Sequence, residues 1–283
     1  MTGLLVTVDD LASTLDSNAP PILLDVRWAL GDTQGRQHYL DEHIPGAVFV
    51  DLETELSAHG VPALGRHPLP TVADLQNAAR RWGVRSDTRV VAYDASANLA
   101  AARAWWLLRW AGVAEVAMLD GGLDAWTSAG YATRSGDEHP QSRGDVVLSA
   151  GHLPTLTADD AAILGADGVL LDARAAERYS GDVEPIDPRA GHIPGARSAP
   201  TSENLDHDGR FLPVEALRRR FAALGVGRDA AVGVYCGSGV TAAHQVAALA
   251  LAGVDAALYP GSWSQWSSDP NRPVAVGPST ALS

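Results

Sequence analysis

The chain has a single cysteine, Cys236, and it stands where a thiol can do chemistry. The apolar run 231–235 reads as a strand and a helical pattern opens near Thr241, with Gly237, Ser238, Gly239 and Val240 between them. A cysteine at such a switch lies at the carboxyl end of a parallel strand, where α/β sheets form their sites. Glycines let the backbone curl so that successive N–H groups converge, and a helix N-terminus adds partial positive charge. Surroundings of that kind favour thiolate over thiol and can hold an anion on the sulfur. A cysteine can also be a small buried hydrophobe, but the Gly-Ser-Gly turn argues against that. Ser238, between two glycines, fits ordinary turn chemistry.

Other chemistries are excluded by residue type. All 21 basic residues are arginine, so no Schiff-base lysine, pyridoxal-phosphate lysine or P-loop lysine exists. A phosphatase loop needs an arginine at the sixth position after cysteine, and here that position is Ala242. A cysteine protease needs a histidine base and an orienting amide, and no motif marks them. One cysteine allows neither an internal disulfide framework nor a thiolate zinc cluster. The net charge of −13 makes nucleic acid a poor partner. No apolar run approaches a membrane span, and the N-terminus lacks the basic start of a secretory signal, which points to the cytoplasm.

The elements that must position Cys236 occur twice. Leu23-Leu24-Asp25-Val26-Arg27 returns as Leu170-Leu171-Asp172-Ala173-Arg174, and His43-Ile44-Pro45-Gly46-Ala47 as His192-Ile193-Pro194-Gly195-Ala196. Val90-Val91-Ala92-Tyr93 answers Val232-Gly233-Val234-Tyr235, and Gly121-Gly122-Leu123-Asp124-Ala125-Trp126 answers Gly261-Ser262-Trp263-Ser264-Gln265-Trp266. The copies lie 140 to 149 residues apart, too long for a solenoid and right for a duplicated domain. Bounded apolar runs at 22–26 and 169–172 read as buried parallel strands, and the stretches 100–110 and 241–252 as helices stopped by Gly112 and Gly253. The expected class is α/β, with two tandem domains that are each a parallel sheet with helices on both faces. Their expected bounds are 1–133 and 152–283, with a linker at 134–151 and a loosely held tail at 270–283. The repeated His-Ile-Pro-Gly-Ala reads as structural: the glycines suit a turn with positive φ, and the histidines satisfy buried carbonyls.

Together the repeat, the loop Cys236-Gly237-Ser238-Gly239-Val240-Thr241-Ala242 and the closing Gly261-Ser262-Trp263 resemble the two-domain sulfurtransferases of the rhodanese family, over roughly residues 5 to 270. The loop is similar to the mercaptopyruvate sulfurtransferase version. The resemblance implies two rhodanese-like domains and an enzyme that needs no cofactor or metal. Cys236 would take sulfur from a small-molecule donor, become a persulfide, and pass the sulfur to cyanide or a thiol, with a thioredoxin-like reductant as a further partner. The N–H groups of Gly237, Ser238, Gly239, Val240 and Thr241 would stabilise the persulfide. Asp94 stands at the cysteine position of the first copy, which is therefore expected to be catalytically silent. The resemblance places Arg178 on the donor, with Arg189 the nearest match to a second substrate arginine; either could instead be a surface ion pair. It makes Ser238 part of a relay with His43 and Asp32, and adds Trp28 to the cleft. The expected donor is 3-mercaptopyruvate, with thiosulfate the alternative and a non-catalytic binding module the more distant one.

Overall fold

The computed structural model describes residues 3–58, 62–227 and 230–278. The chain forms two compact units. In the first, β1 (Leu5–Val6), β2 (Ile22–Asp25), β3 (Ala47–Phe49), β4 (Val90–Tyr93) and β5 (Val116–Leu119) make a parallel sheet in the order β1-β5-β4-β2-β3. In the second, β6 (Val169–Asp172), β7 (Arg197–Ser198), β8 (Val232–Tyr235) and β9 (Ala256–Leu258) are parallel in the order β7-β6-β8-β9. Flanking helices cover the sheets, which is why β4, β6 and β8 are buried at every position. Where β1 lies beside β5 in the first unit, the second has a parallel bridge between Thr155 and Leu258.

Helix starts follow local chemistry. Thr7, Thr71 and Thr157 each cap a helix by accepting an N–H from the residue three positions on, and Thr157 with Asp160 completes a capping box. The helix Ala101–Trp110 buries nine of its ten residues, and Thr241–Leu251 buries eight of eleven. Among the described residues, no helix is long and apolar enough to cross a membrane.

The repeat holds down to single hydrogen bonds. Asp25 pairs in register with Tyr93, and Asp172 with Tyr235. Tyr93 Oη accepts from the amide of Ile44, and Tyr235 Oη from that of Ile193. Gly46 and Gly195 take φ of 82° and 79°, conformations that only glycine adopts without strain.

Two sequence expectations need adjustment. The stretch 134–151 runs along the first unit: the amides of Arg134, Gly144, Val146 and Ser149 donate to His43, Arg80, Val84 and Ala111 carbonyls. The tail is not loose over 270–278, where Ala275 bridges to His192 and Gly277 donates to Ser180 O; residues 279–283 lie outside the described residues. The units also draw on both halves of the sequence. Residues 62–68 belong with the second unit, and His207–Arg210 with the first.

Candidate active site

β8 delivers Cys236 one residue beyond its end, and the side chain is 1% exposed. The Gly239 N–H donates to Sγ at 3.1 Å. The loop is fastened from behind by the next element. Trp263 N–H donates to Cys236 O at 2.9 Å, Ser264 N–H to Gly237 O at 2.8 Å, and Cys236 N–H to Ser262 Oγ at 3.2 Å. This explains why the segment 121–126 recurs at 261–266: the first turn of the helix Ser262–Ser268 holds the cysteine loop, as the Leu123 N–H holds Asp94 O at 2.9 Å in the first copy. Ser262 has φ 52°, where its counterpart Gly122 has 59°. A serine in that region is strained, and such strain gathers at functional sites.

Ser238 is buried, with Oγ 2.7 Å from His67 Nδ1, across 171 residues of sequence. His67 therefore replaces His43 as the histidine of Ser238. His43 is fully buried, stacks on Tyr39 with ring centroids 4.3 Å apart, and bonds through Nδ1 to Tyr39 O at 2.8 Å. His192 repeats this on Tyr179, at 3.7 Å and 2.8 Å, and burial holds it below the usual histidine range. Both histidines of the repeated motif are folding devices. Asp32 is likewise engaged locally, 3.1 Å from His38 Nε2 and accepting from Gln34 N–H. Trp28 donates from Nε1 to Glu53 at 2.6 Å, and Trp28, Asp32 and His38 line a cavity of about 380 Å³ within the first unit. His67 has no repeat partner and no motif. Its only local sign is the polar pair Arg66-His67 inside a stretch rich in proline and glycine.

A chain of alternating charges leads to the loop. Asp172, at the end of β6, accepts from Arg174 Nη2 at 2.6 Å, and Arg174 Nη1 reaches Glu184 at 3.4 Å. Glu184 accepts from Arg178 Nη2 at 2.7 Å; the same nitrogen donates to Asp187 Oδ2 at 3.3 Å, and Arg66 Nη1 donates to Asp187 Oδ1. Burial pushes Asp187 above the usual carboxylate range despite Arg66. For Glu184, the amide of Asp187 and the Arg178 guanidinium overcome burial and hold the carboxyl below that range. Arg178 reaches the cysteine loop: a Cβ on Gly237 would lie 3.4 Å from its Nη1 and 3.1 Å from Arg66 Nη2. Glycine at 237 lets both guanidinium groups lie close beside Cys236.

Arg189 is a correction. Its guanidinium donates to four carbonyls, those of Trp266, Ser267, Asp269 and Arg272, at 2.6 to 2.9 Å. It closes the C-terminal end of the helix Ser262–Ser268, as arginines at helix ends do. It is a structural clamp.

The first unit's equivalent loop shows what the architecture is built to hold. Asp94 Oδ1 accepts from the amides of Ser96 and Asn98, and Oδ2 from those of Ala100 and Ala101, all at 2.8 to 2.9 Å. A carboxylate of the chain itself fills an anion nest at the position where the second unit carries Cys236.

Residues 7–129 and 157–269 each match the rhodanese-like domain family. The chain is 52% identical over 278 residues to a Mycobacterium tuberculosis protein provisionally named thiosulfate sulfurtransferase SseB, covering 96% of this chain and 97% of that one. It is 50% identical over 289 residues to a Pseudomonas aeruginosa protein provisionally named 3-mercaptopyruvate sulfurtransferase, covering 96% and 98%. The crystal structure of SseA from Escherichia coli, described as a 3-mercaptopyruvate sulfotransferase of the rhodanese fold, matches with a TM-score of 0.82 at 34% identity, covering 93% of this chain and 99% of that one.

Proposed function

The chain belongs to the rhodanese family and is a sulfurtransferase; on that premise we propose that Cys236 carries sulfur as a persulfide taken from 3-mercaptopyruvate. The observation that carries this reading is the anion nest of the first copy set beside the cysteine loop of the second. One loop encloses a carboxylate with backbone N–H groups, and its sister aims the Gly239 N–H at a buried sulfur. The Cys236 thiolate attacks the donor sulfur, the carbon–sulfur bond breaks, and its electron pair passes to carbon as the enolate of pyruvate. The proton of the donor thiol ends on that carbon, and the sulfur stays on Cys236 as an ionised persulfide. Cyanide or a thiolate then attacks the outer sulfur, leaves as thiocyanate or a persulfide, and returns the Cys236 thiolate. The Ser238–His67 pair is the proton relay of the first half-reaction. A neutral Gly-Ser-Gly loop favours a donor with one carboxylate, held by Arg178, over doubly charged thiosulfate. A thioredoxin-like dithiol is the protein-borne acceptor, and a reducing cytoplasm is the compartment in which it stays reduced.

Intact-mass spectrometry tests this directly. Incubation with 3-mercaptopyruvate adds one sulfur, about 32 Da, that cyanide removes, and Cys236→Ser shows neither adduct nor turnover. Full activity in Cys236→Ser overturns the reading. Equal rates of sulfur loading from thiosulfate move the donor assignment to thiosulfate.

A further inference from the structure

The helix Ser262–Ser268 touches two parts of the second unit at once. Its main chain fastens the cysteine loop, with the Ser264 N–H on Gly237 O at 2.8 Å. Its side chains reach the 62–68 segment that carries His67. Ser264 is buried, and its Oγ accepts the Arg66 N–H at 3.1 Å while donating to Gly261 O at 3.0 Å. Gln265 Nε2 donates to Ala63 O at 3.1 Å, and Tyr259 Oη holds the other end of the amide by donating to Oε1 at 2.9 Å. Gly65 packs so close that a Cβ there would stand 2.7 Å from Gly261 O and 2.8 Å from Ser264 Oγ. Its φ of 98° is one that glycine alone adopts without strain. In the first copy the places of Ser264 and Gln265 fall to Asp124, which is exposed, and Ala125, which has no amide to offer. The two polar side chains accompany the copy that has the cysteine.

We propose that Ser264 and Gln265 are positioning residues that set His67 against Ser238. Each member of that pair is the chain neighbour of a residue that Ser264 holds: Ser238 follows Gly237, and His67 follows Arg66. Ser264 thus spans the two sides, through its N–H to the loop and its Oγ to the segment, while Gln265 pins the same segment three residues earlier. Proton transfer works only within hydrogen-bond reach, and a misplacement of about 1 Å can cost up to about a hundredfold in rate. The consequence for turnover rests on the relay reading of Ser238 and His67.

Nitrogen NMR of the imidazoles tests the latch without any turnover. The His67 resonances are identified by their loss in His67→Ala, and Ser238→Ala gives the Nδ1 position once the bond is broken. Ser264→Ala and Gln265→Met each move the Nδ1 resonance toward that position. A wild-type resonance in both overturns the proposal, whatever the activity. In turnover each variant lowers kcat about tenfold with KM nearly unchanged. Neither lowers it further in a His67→Ala background, because both act through His67; a further drop there overturns the proposal. The rate of iodoacetamide alkylation at Cys236, read from the intact mass of a chain with one cysteine, stays at the wild-type value. A fall in that rate places the damage in the cysteine loop and also overturns it. Gln265→Met, at a half-buried position, guards against a folding defect in Ser264→Ala, whose hydroxyl is buried. Full kcat in His67→Ala beside a displaced resonance in Gln265→Met leaves the latch standing and removes the relay instead.

Discussion

Ser238 and His67 illustrate how little a residue type says without its partner. A serine between glycines suits a turn, yet its hydroxyl, two residues along the chain from Cys236, lies 2.7 Å from His67 Nδ1. If the pair relays a proton, Ser238→Ala and His67→Ala each lower kcat by about a hundredfold with little change in KM, and the double variant is no worse than either single one. His43→Ala instead lowers the melting temperature and leaves kcat of the folded protein intact, because its ring packs on Tyr39 and holds a buried carbonyl. Steady-state kinetics over a pH series, beside thermal melts, separate the two histidines. Additive losses at Ser238 and His67 contradict a shared relay.

The loop after a parallel strand is the unit that diverged. Both copies keep the strand, the following helix and the fastening contact, but the first puts Asp94 into its own nest and the second aims the Gly239 N–H at Cys236 Sγ. Asp94→Asn replaces one acceptor oxygen by an NH₂ group facing two N–H donors. The expected loss is about 2–6 kcal/mol of stability, since each unmet buried donor costs about 1–3 kcal/mol. Sulfur transfer by the folded protein is retained, because no sulfur-bearing atom exists in that loop. Denaturant unfolding together with kcat at low denaturant measures both, and a collapse of kcat without loss of stability gives Asp94 a part in turnover. The carbonyls gathered by Arg189 teach a related lesson: the nearest match to a second substrate arginine serves the end of a helix.

Over the whole molecule, charge works against an anionic substrate. The chain carries −13 at pH 7, whereas the ion-pair chain that ends at the loop sums to zero from Asp172 to Arg66. Long-range repulsion then slows the approach of a mercaptopyruvate anion and is screened once the Debye length falls to about 8 Å near physiological salt. Raising ionic strength from low to physiological values increases kcat/KM for 3-mercaptopyruvate about twofold, and leaves the iodoacetamide rate at Cys236 unchanged. A fall in kcat/KM with salt means that the local field of the arginines outweighs the net charge.

The sequence by itself determined the duplication and the parallel α/β class, and it marked Cys236 as the candidate nucleophile, with an aspartate at the matching place in the first copy. Each of these rests on contacts close in the chain: apolar runs that pair as buried strands, glycines that turn, and one sulfur at a strand end. The structural part of the His-Ile-Pro-Gly-Ala histidines was legible for the same reason, since a function present in one copy does not need a residue present in both. Tertiary structure alone decided the partners. His67 and Arg66 reach Ser238 and Asp187 from a segment that has no repeat, no period and no motif. Side-chain hydrogen bonds act over about 3 Å of space whatever the separation in sequence. The identity of a residue is therefore written locally, while its neighbour across 171 positions is chosen by the packing of the whole unit.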